Sequence, residues 1–186
     1  MLEDGEGDSM MAAAPILSDQ ECAAWVSWGE QTGFALEKHA QTSQIAHRDN
    51  GRLAVESDEI ANAIFERLRP LVPKEVAGRR ASGCNPNIRL YRYVPGQRFG
   101  PHVDQANRLA NGSVTEFTVL LYLSDGIVGG ETIFYGSHGD EALRFAPKKG
   151  AALVHSHGGR CLTHEGAQVQ SGTKYLLRTD VAYGGR

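Results

Sequence analysis

From about residue 80 onward the chain changes texture, and this change restricts its fold more than any other feature. Helical periods stop, and short strand-like runs alternate with Gly, Pro and Asn punctuation. The pattern predicts strands over 88–94, 99–104, 117–123, 131–134, 151–156 and 174–182. The earlier residues read differently. Ser18-Asp19-Gln20-Glu21 is a capping box, and Cys22, Trp25, Val26 and Trp28 follow at near-helical spacing, so a helix opens there and ends near Gly29 to Gly33. Ile60, Ile64, Leu68 and Leu71 form one apolar stripe. It predicts a second helix over 57–71, capped by Ser57 and closed by Pro70 and Pro73. Between the helices, 34–53 is polar, with a turn signal at Asn50-Gly51. Residues 1–14 are acidic, then small, and read as a disordered tail. Two helices followed by many short strands predict a mainly β protein, in which a helical layer supports a β-sandwich or barrel. The expected organisation is one domain over 15–186, with helical support in 15–80 and a β core over about 85–184.

A formal net charge of −3 argues against a broad nucleic-acid surface, which needs clustered Lys and Arg. Cys22, Cys84 and Cys161 are odd in number and widely spaced, unlike a disulfide framework or a zinc ribbon. A reducing, cytoplasmic setting is the expectation. No apolar run is long enough to span a bilayer, and the acidic start lacks the charged-then-apolar order of a secretory signal.

The chemistry concentrates in the segment from Tyr91 to Asp104. On a strand, His102 and Asp104 point to one face and offer an imidazole and a carboxylate to one divalent ion. A second His would complete a two-His-one-carboxylate triad, leaving three positions open. Downstream stand His138, His155, His157 and His164. His138, in a Gly-Ser-His-Gly loop, reads as solvated. His155 and His157 share a strand face, where they either ligate or line a pocket. Lys174 follows His164 by ten residues and opens an apolar strand. A lysine aimed into a pocket is costly unless it meets an anion.

His102-x-Asp104, then His164, then Lys174 is similar in order and spacing to the Fe(II)- and 2-oxoglutarate-dependent oxygenases of the prolyl 4-hydroxylase type. Tyr93-x-x-Gly96-x-x-Phe99-x-x-His102-x-Asp104 resembles that family's first metal strand, with Phe99 where Tyr is common. The run Thr118 to Ser124, followed by Gly129-Gly130-Glu131-Thr132-x-Phe134, resembles its central hairpin. Gly172-x-Lys174-Tyr175 through Arg178-Thr179-Asp180-Val181 resembles its last core strand. The resemblance runs from about Asn87 to Tyr183.

It implies a double-stranded β-helix, the jelly-roll or cupin-like core, with the N-terminal helices packed against it. It implies Fe(II) held by His102, Asp104 and His164, with Lys174 on the distal carboxylate of 2-oxoglutarate and Tyr93 and Thr132 hydrogen-bonding that cosubstrate. O₂ is the oxidant and ascorbate the reductant. The implied reaction hydroxylates a C–H bond while 2-oxoglutarate is decarboxylated to succinate and CO₂. Arg178, His155 and Arg92 are the expected substrate-pocket residues. The expected substrate is a protein or peptide side chain, prolyl first, or else a free amino acid or other small molecule. Thr115 stands where procollagen-type members carry a basic residue, and Asp180 where they can carry Trp. Both departures weigh against a collagen-like peptide. A non-catalytic metal-binding sensor and a zinc-dependent cupin-like enzyme use the same barrel, but neither needs Lys174.

Overall fold

The computed structural model describes residues 11–42 and 46–184. Strand β1 (Met11–Pro15) is a correction to the expected tail. It pairs antiparallel with a later strand, from Met11 opposite His155 to Pro15 opposite Ala151. Its alanines carry little strand signal of their own, so the pairing rests on backbone hydrogen bonds that only the partner can supply. The rest of the expected tail lies outside the described residues.

The capping box forms as read. Ser18 Oγ accepts from the Glu21 N–H, and Glu21 Oε2 accepts from the Ser18 N–H at 2.8 Å. It opens α1 (Asp19–Thr32), which stops at Gly33 with φ +90°. Next come β2 (Ala35–His39) and β3 (Arg48–Glu56). The Asn50-Gly51 pair lies inside β3 and makes no turn. Gly51 is needed for close approach, because a Cβ there would sit 2.9 Å from Phe34 Cβ. Helix α2 (Asp58–Leu68) is capped by Ser57, and a 3-10 turn (Arg69–Leu71) follows it.

The remaining strands are β4 (Glu75–Val76), β5 (Arg79–Cys84), β6 (Asn87–Tyr93), β7 (Phe99–His102), β8 (Val114–Tyr122), β9 (Val128–Gly129), β10 (Thr132–Tyr135), β11 (Glu141–Phe145), β12 (Ala151–Ser156), β13 (His164–Gly166), β14 (Val169–Ser171) and β15 (Lys174–Gly184). The principal layer runs β1-β12-β8-β15-β6-β3, with β2 on its edge. One pairing, Arg48 opposite Phe99, carries the ladder from β3 into a second layer, β7-β13-β10-β11. All ladders are antiparallel, and the sheet curls into a jelly roll with the helices on its outer face.

Period-two alternation splits the core. On β8, Val119 and Leu121 join Ile64, Leu68, Leu90, Val154 and Leu177 under the helices. Leu120 and Tyr122 face inward with Tyr91, Tyr93, Phe134 and Leu176. A strand covered on both faces reads as a continuous apolar run, and 118–123 does so.

Candidate metal centre

His102 ends β7 and His164 opens β13, and the two are paired directly opposite each other. Strand β7 stops two residues short of Asp104, so alternation along a strand is not what brings its carboxylate beside His102. The chain beyond β7 is held where the Gly158 N–H donates to the Asp104 backbone carbonyl at 2.8 Å. The Asp104 carboxylate lies 3.7 Å from His102 Nε2 through Oδ1 and 3.6 Å from His164 Nε2 through Oδ2. One ligand atom from each of the three residues lies within 4.8 Å of the others.

The orientation of these donors suits an ion. His102 Nδ1 sits 2.9 Å from Gly100 O, and His164 Nδ1 sits 3.0 Å from Leu162 O. A carbonyl only accepts, so each Nδ1 carries a proton and each Nε2 is turned toward Asp104. Asp104 Oδ2 accepts from Thr118 Oγ1 at 2.7 Å, and Oδ1 faces Arg178 Nη2 at 3.0 Å. Phe99 stacks on His102 at 3.8 Å, and Phe134 stacks on His164 at 5.2 Å. Two imidazoles and one carboxylate, with no thiolate among them, are a donor set that fits a non-haem Fe(II).

Burial sets the charges. Burial, together with the neighbouring His164, lowers His102 to about 4. Burial alone would raise the Asp104 carboxyl, but Arg178 and His164 outweigh it and hold the group well below the ordinary carboxylate range. Burial would lower His164, but hydrogen bonding to Asp104 and Cys161 raises it to about 9. His164 therefore holds the proton that an arriving cation must displace.

Lys174, the first residue of β15, is buried. Its Nζ donates to Gly130 O at 2.6 Å and lies 5.4 Å from the Tyr93 ring centroid. Gly130 adopts φ +73°, a left-handed conformation that turns the chain beneath the ammonium. Among the described residues no carboxylate lies within 4.0 Å of that ammonium, and burial lowers it to about 8. Tyr93 and Thr132 line the same pocket. Thr132 Oγ1 is already engaged by Tyr122 OH at 2.6 Å. Arg178 reaches the interior, where it meets Asp104 and, at 3.5 Å, Asp180.

Arg92 is a correction. It shares the outer face of β6 with Ile88 and Leu90, pairs with Glu30 at 3.1 Å and lies over Phe34, away from the pocket. His155 is buried with Nε2 3.7 Å from Asp104 Oδ2, and that nitrogen has no hydrogen-bond partner among the described residues. His157 lies behind the site, with Nε2 2.7 Å from Thr118 Oγ1. His138 is exposed, as expected. Sequence reasoning missed Tyr91, whose buried hydroxyl lacks a hydrogen-bond partner among the described residues, although its place two residues before Tyr93 on one strand face was the available signal.

The free space at the site is about 40 Å³. A far larger cleft of about 630 Å³, near Phe65, Arg69 and Arg80, carries no comparable donor set among the described residues.

Residues 88–179 match the family described as the 2OG-Fe(II) oxygenase superfamily. A probable prolyl 4-hydroxylase 11 from Arabidopsis thaliana is 31% identical over 128 residues, covering 66% of this chain and 40% of that protein. The chain spans between 40% and 62% of the length of the curated relatives it matches. A viral collagen prolyl hydroxylase from Paramecium Bursaria Chlorella virus-1, in its 2OG complex, superposes with a TM-score of 0.68 at 20% identity, over 92% of this chain and 95% of that one. A Pseudomonas putida prolyl-4-hydroxylase superposes with a TM-score of 0.66 at 16% identity, over 94% and 93%. Paired imidazoles on facing strands, an aspartate between them and a buried lysine with no carboxylate within 4.0 Å among the described residues thus coincide with a sequence match across the β core, and the chain belongs to the 2OG-Fe(II) oxygenase superfamily.

Proposed function

We propose that the protein is a 2-oxoglutarate-dependent dioxygenase that hydroxylates a C–H bond, with His102, Asp104 and His164 holding Fe(II). The supporting observation is the convergence of those three groups beside Lys174, a buried ammonium with no carboxylate within 4.0 Å among the described residues. Bound iron would supply the oxidising power that couples decarboxylation of 2-oxoglutarate to succinate and CO₂ with insertion of one oxygen atom into the substrate.

The chain's own residues do the remainder. His102 and His164 present Nε2, fixed by the carbonyls behind Nδ1. Arg178 and Thr118 occupy the Asp104 oxygens and keep the carboxylate ionised and still. Lys174 takes the distal carboxylate of 2-oxoglutarate, beside Tyr93 and Thr132. Lys174 has three N–H donors, so it can meet that carboxylate while one remains on Gly130 O. Phe99 and Phe134 wall the imidazoles and keep water from them. Ascorbate is the reductant this reading expects.

For the substrate, the relatives favour a prolyl side chain in a peptide. A second reading, a free amino acid or other small molecule, is favoured by Arg178, a buried guanidinium whose Nε has no partner among the described residues.

The test is anaerobic loading with Fe(II) and 2-oxoglutarate, followed by succinate measurement on admitting O₂ with peptide and amino-acid pools. His102→Ala and His164→Ala should abolish turnover, while His157→Ala retains at least a tenth. Normal turnover by the His164 variant would refute the assignment.

A further inference from the structure

We propose that His155, Cys161 and His164 form a second metal site, selective for a thiophilic divalent ion of the zinc class, which competes with the iron site for His164. One ligand atom from each of these residues lies within 4.8 Å of the others, a grouping distinct from the iron triad. Cys161 Sγ is 3.9 Å from His155 Nδ1 and 3.8 Å from His164 Nδ1. A four-coordinate zinc holds sulfur at about 2.3 Å and nitrogen at about 2.0–2.1 Å, so a tetrahedral angle separates S from N by about 3.6 Å. Both sulfur–nitrogen separations stand within a few tenths of an ångström of that value.

The local structure supports the placement. Cys161 follows the 3-10 turn Gly158–Arg160, and its N–H donates to Gly158 O at 3.0 Å, which fixes the sulfur below His155. The sulfur is half-buried, so an ion can reach it and water can fill the fourth position. His155 is buried; among the described residues its Nδ1 meets Ser156 O at 3.4 Å and the sulfur at 3.9 Å, while its unpartnered Nε2 faces Asp104. A histidine with so few partners is poorly explained as packing. Thiolate and imidazole favour zinc-like ions, whereas the triad of two imidazoles and a carboxylate suits iron.

The competition follows from imidazole chemistry. A neutral imidazole has one nitrogen lone pair. In the iron arrangement Nδ1–H donates to Leu162 O and Nε2 faces Asp104. In the second arrangement Nδ1 binds the thiophilic ion, and the proton moves to Nε2, 3.6 Å from Asp104 Oδ2. While His164 stays a neutral imidazole, both ions cannot use it at once. Only this competition rests on the functional reading above; the three-donor site does not.

Cobalt(II) is the probe, because it substitutes for zinc and reports its ligands spectroscopically. Titrating ion-free protein should produce a thiolate-to-cobalt charge-transfer band saturating at one equivalent. The band should vanish in Cys161→Ser and in His155→Phe and persist in His102→Ala. Cobalt binding without that band, or a band surviving Cys161→Ser, overturns the site. Anaerobic Fe(II) should weaken cobalt binding at least tenfold in the wild type and far less in His102→Ala; equal effects overturn the competition. Zn²⁺ should inhibit 2-oxoglutarate turnover, with at least tenfold more needed in Cys161→Ser, each protein's inhibition being referred to its own uninhibited rate. A thiolate band in a protein without turnover would leave the site standing and defeat the oxygenase reading.

Discussion

Lys174 shows how a single residue trades stability for binding. Its folded value of about 8 lies below the ordinary lysine value of 10.5, because burial disfavours the charged form. Below pH 8 the lysine is charged in both states, and the fold carries the full burial cost. Between about 8 and 10.5 the unfolded chain binds more protons, so this group adds stability as pH rises. The gain amounts to roughly 3 kcal/mol at about 1.4 kcal/mol per pH unit. Lys174→Met should therefore raise the Tm of the ion-free protein at pH 7 and remove this alkaline rise, as thermal unfolding across pH would show. The same variant should lose 2-oxoglutarate affinity. In the wild type that affinity should fall above pH 8, with proton uptake visible by calorimetry in buffers of different ionisation enthalpy. Arg178→Met leaves Asp104 Oδ1 without its cationic partner. Metal affinity should drop about 10- to 100-fold, measured by competition with a chelating dye. At this scale the sequence singled out His102, Asp104, His164 and Lys174, which the fold brings to one pocket. It was silent on Thr118, whose hydroxyl bonds Asp104 from a strand that reads only as apolar. Arg92 was misassigned although period two from Tyr91 and Tyr93 places it on the opposite face.

Elements were legible in proportion to how much of their stability is local. Both helices announce themselves through caps and apolar stripes, which act within a few residues. Strands β6, β8, β12 and β15 are long and apolar, and each was anticipated within three residues at either end. Strands β1, β9, β13 and β14 are short and hold their shape only through partners distant in sequence. No local signal marks His164–Gly166 as a strand; its pairing with β7 and β10 makes it one. Asn50-Gly51 failed for the converse reason, since a local turn preference yields to a nine-residue strand paired on both sides. Strand β8, covered on both faces, should be the least tolerant element. Leu121→Ala, which empties space under the helices, should destabilise by about 2–5 kcal/mol in urea unfolding. Leu36→Ala on exposed β2 should stay within about 0.5 kcal/mol.

Across the whole molecule the sheet divides two tasks. The helix-covered face holds the larger apolar cluster and can be stable without any ligand. The inner face places its polar groups, Lys174, Arg178 and His155, on the principal layer, whereas His102 and His164 sit on the smaller layer β7-β13-β10-β11. Among the described residues, only the Arg48–Phe99 pairing carries the ladder between those layers. Asp104 spans the gap, because Thr118 of β8 and Arg178 of β15 hold its oxygens while both imidazoles approach from the smaller layer. An ion held by the triad would therefore tie the smaller layer to the principal one, and a dicarboxylate held by Lys174 would add a second tie. Ligand binding to the native state at 100 times Kd contributes about 2.7 kcal/mol. Under this topology the protection should appear unevenly. Hydrogen exchange with Fe(II) and 2-oxoglutarate bound under anaerobic conditions should slow most at β7, β10 and β13, and chelation should reverse it. Amides of α2, already packed on the apolar cluster, should change little. Uniform slowing across both layers would mean that the ion stabilises the fold as one unit and does not bridge two separable layers.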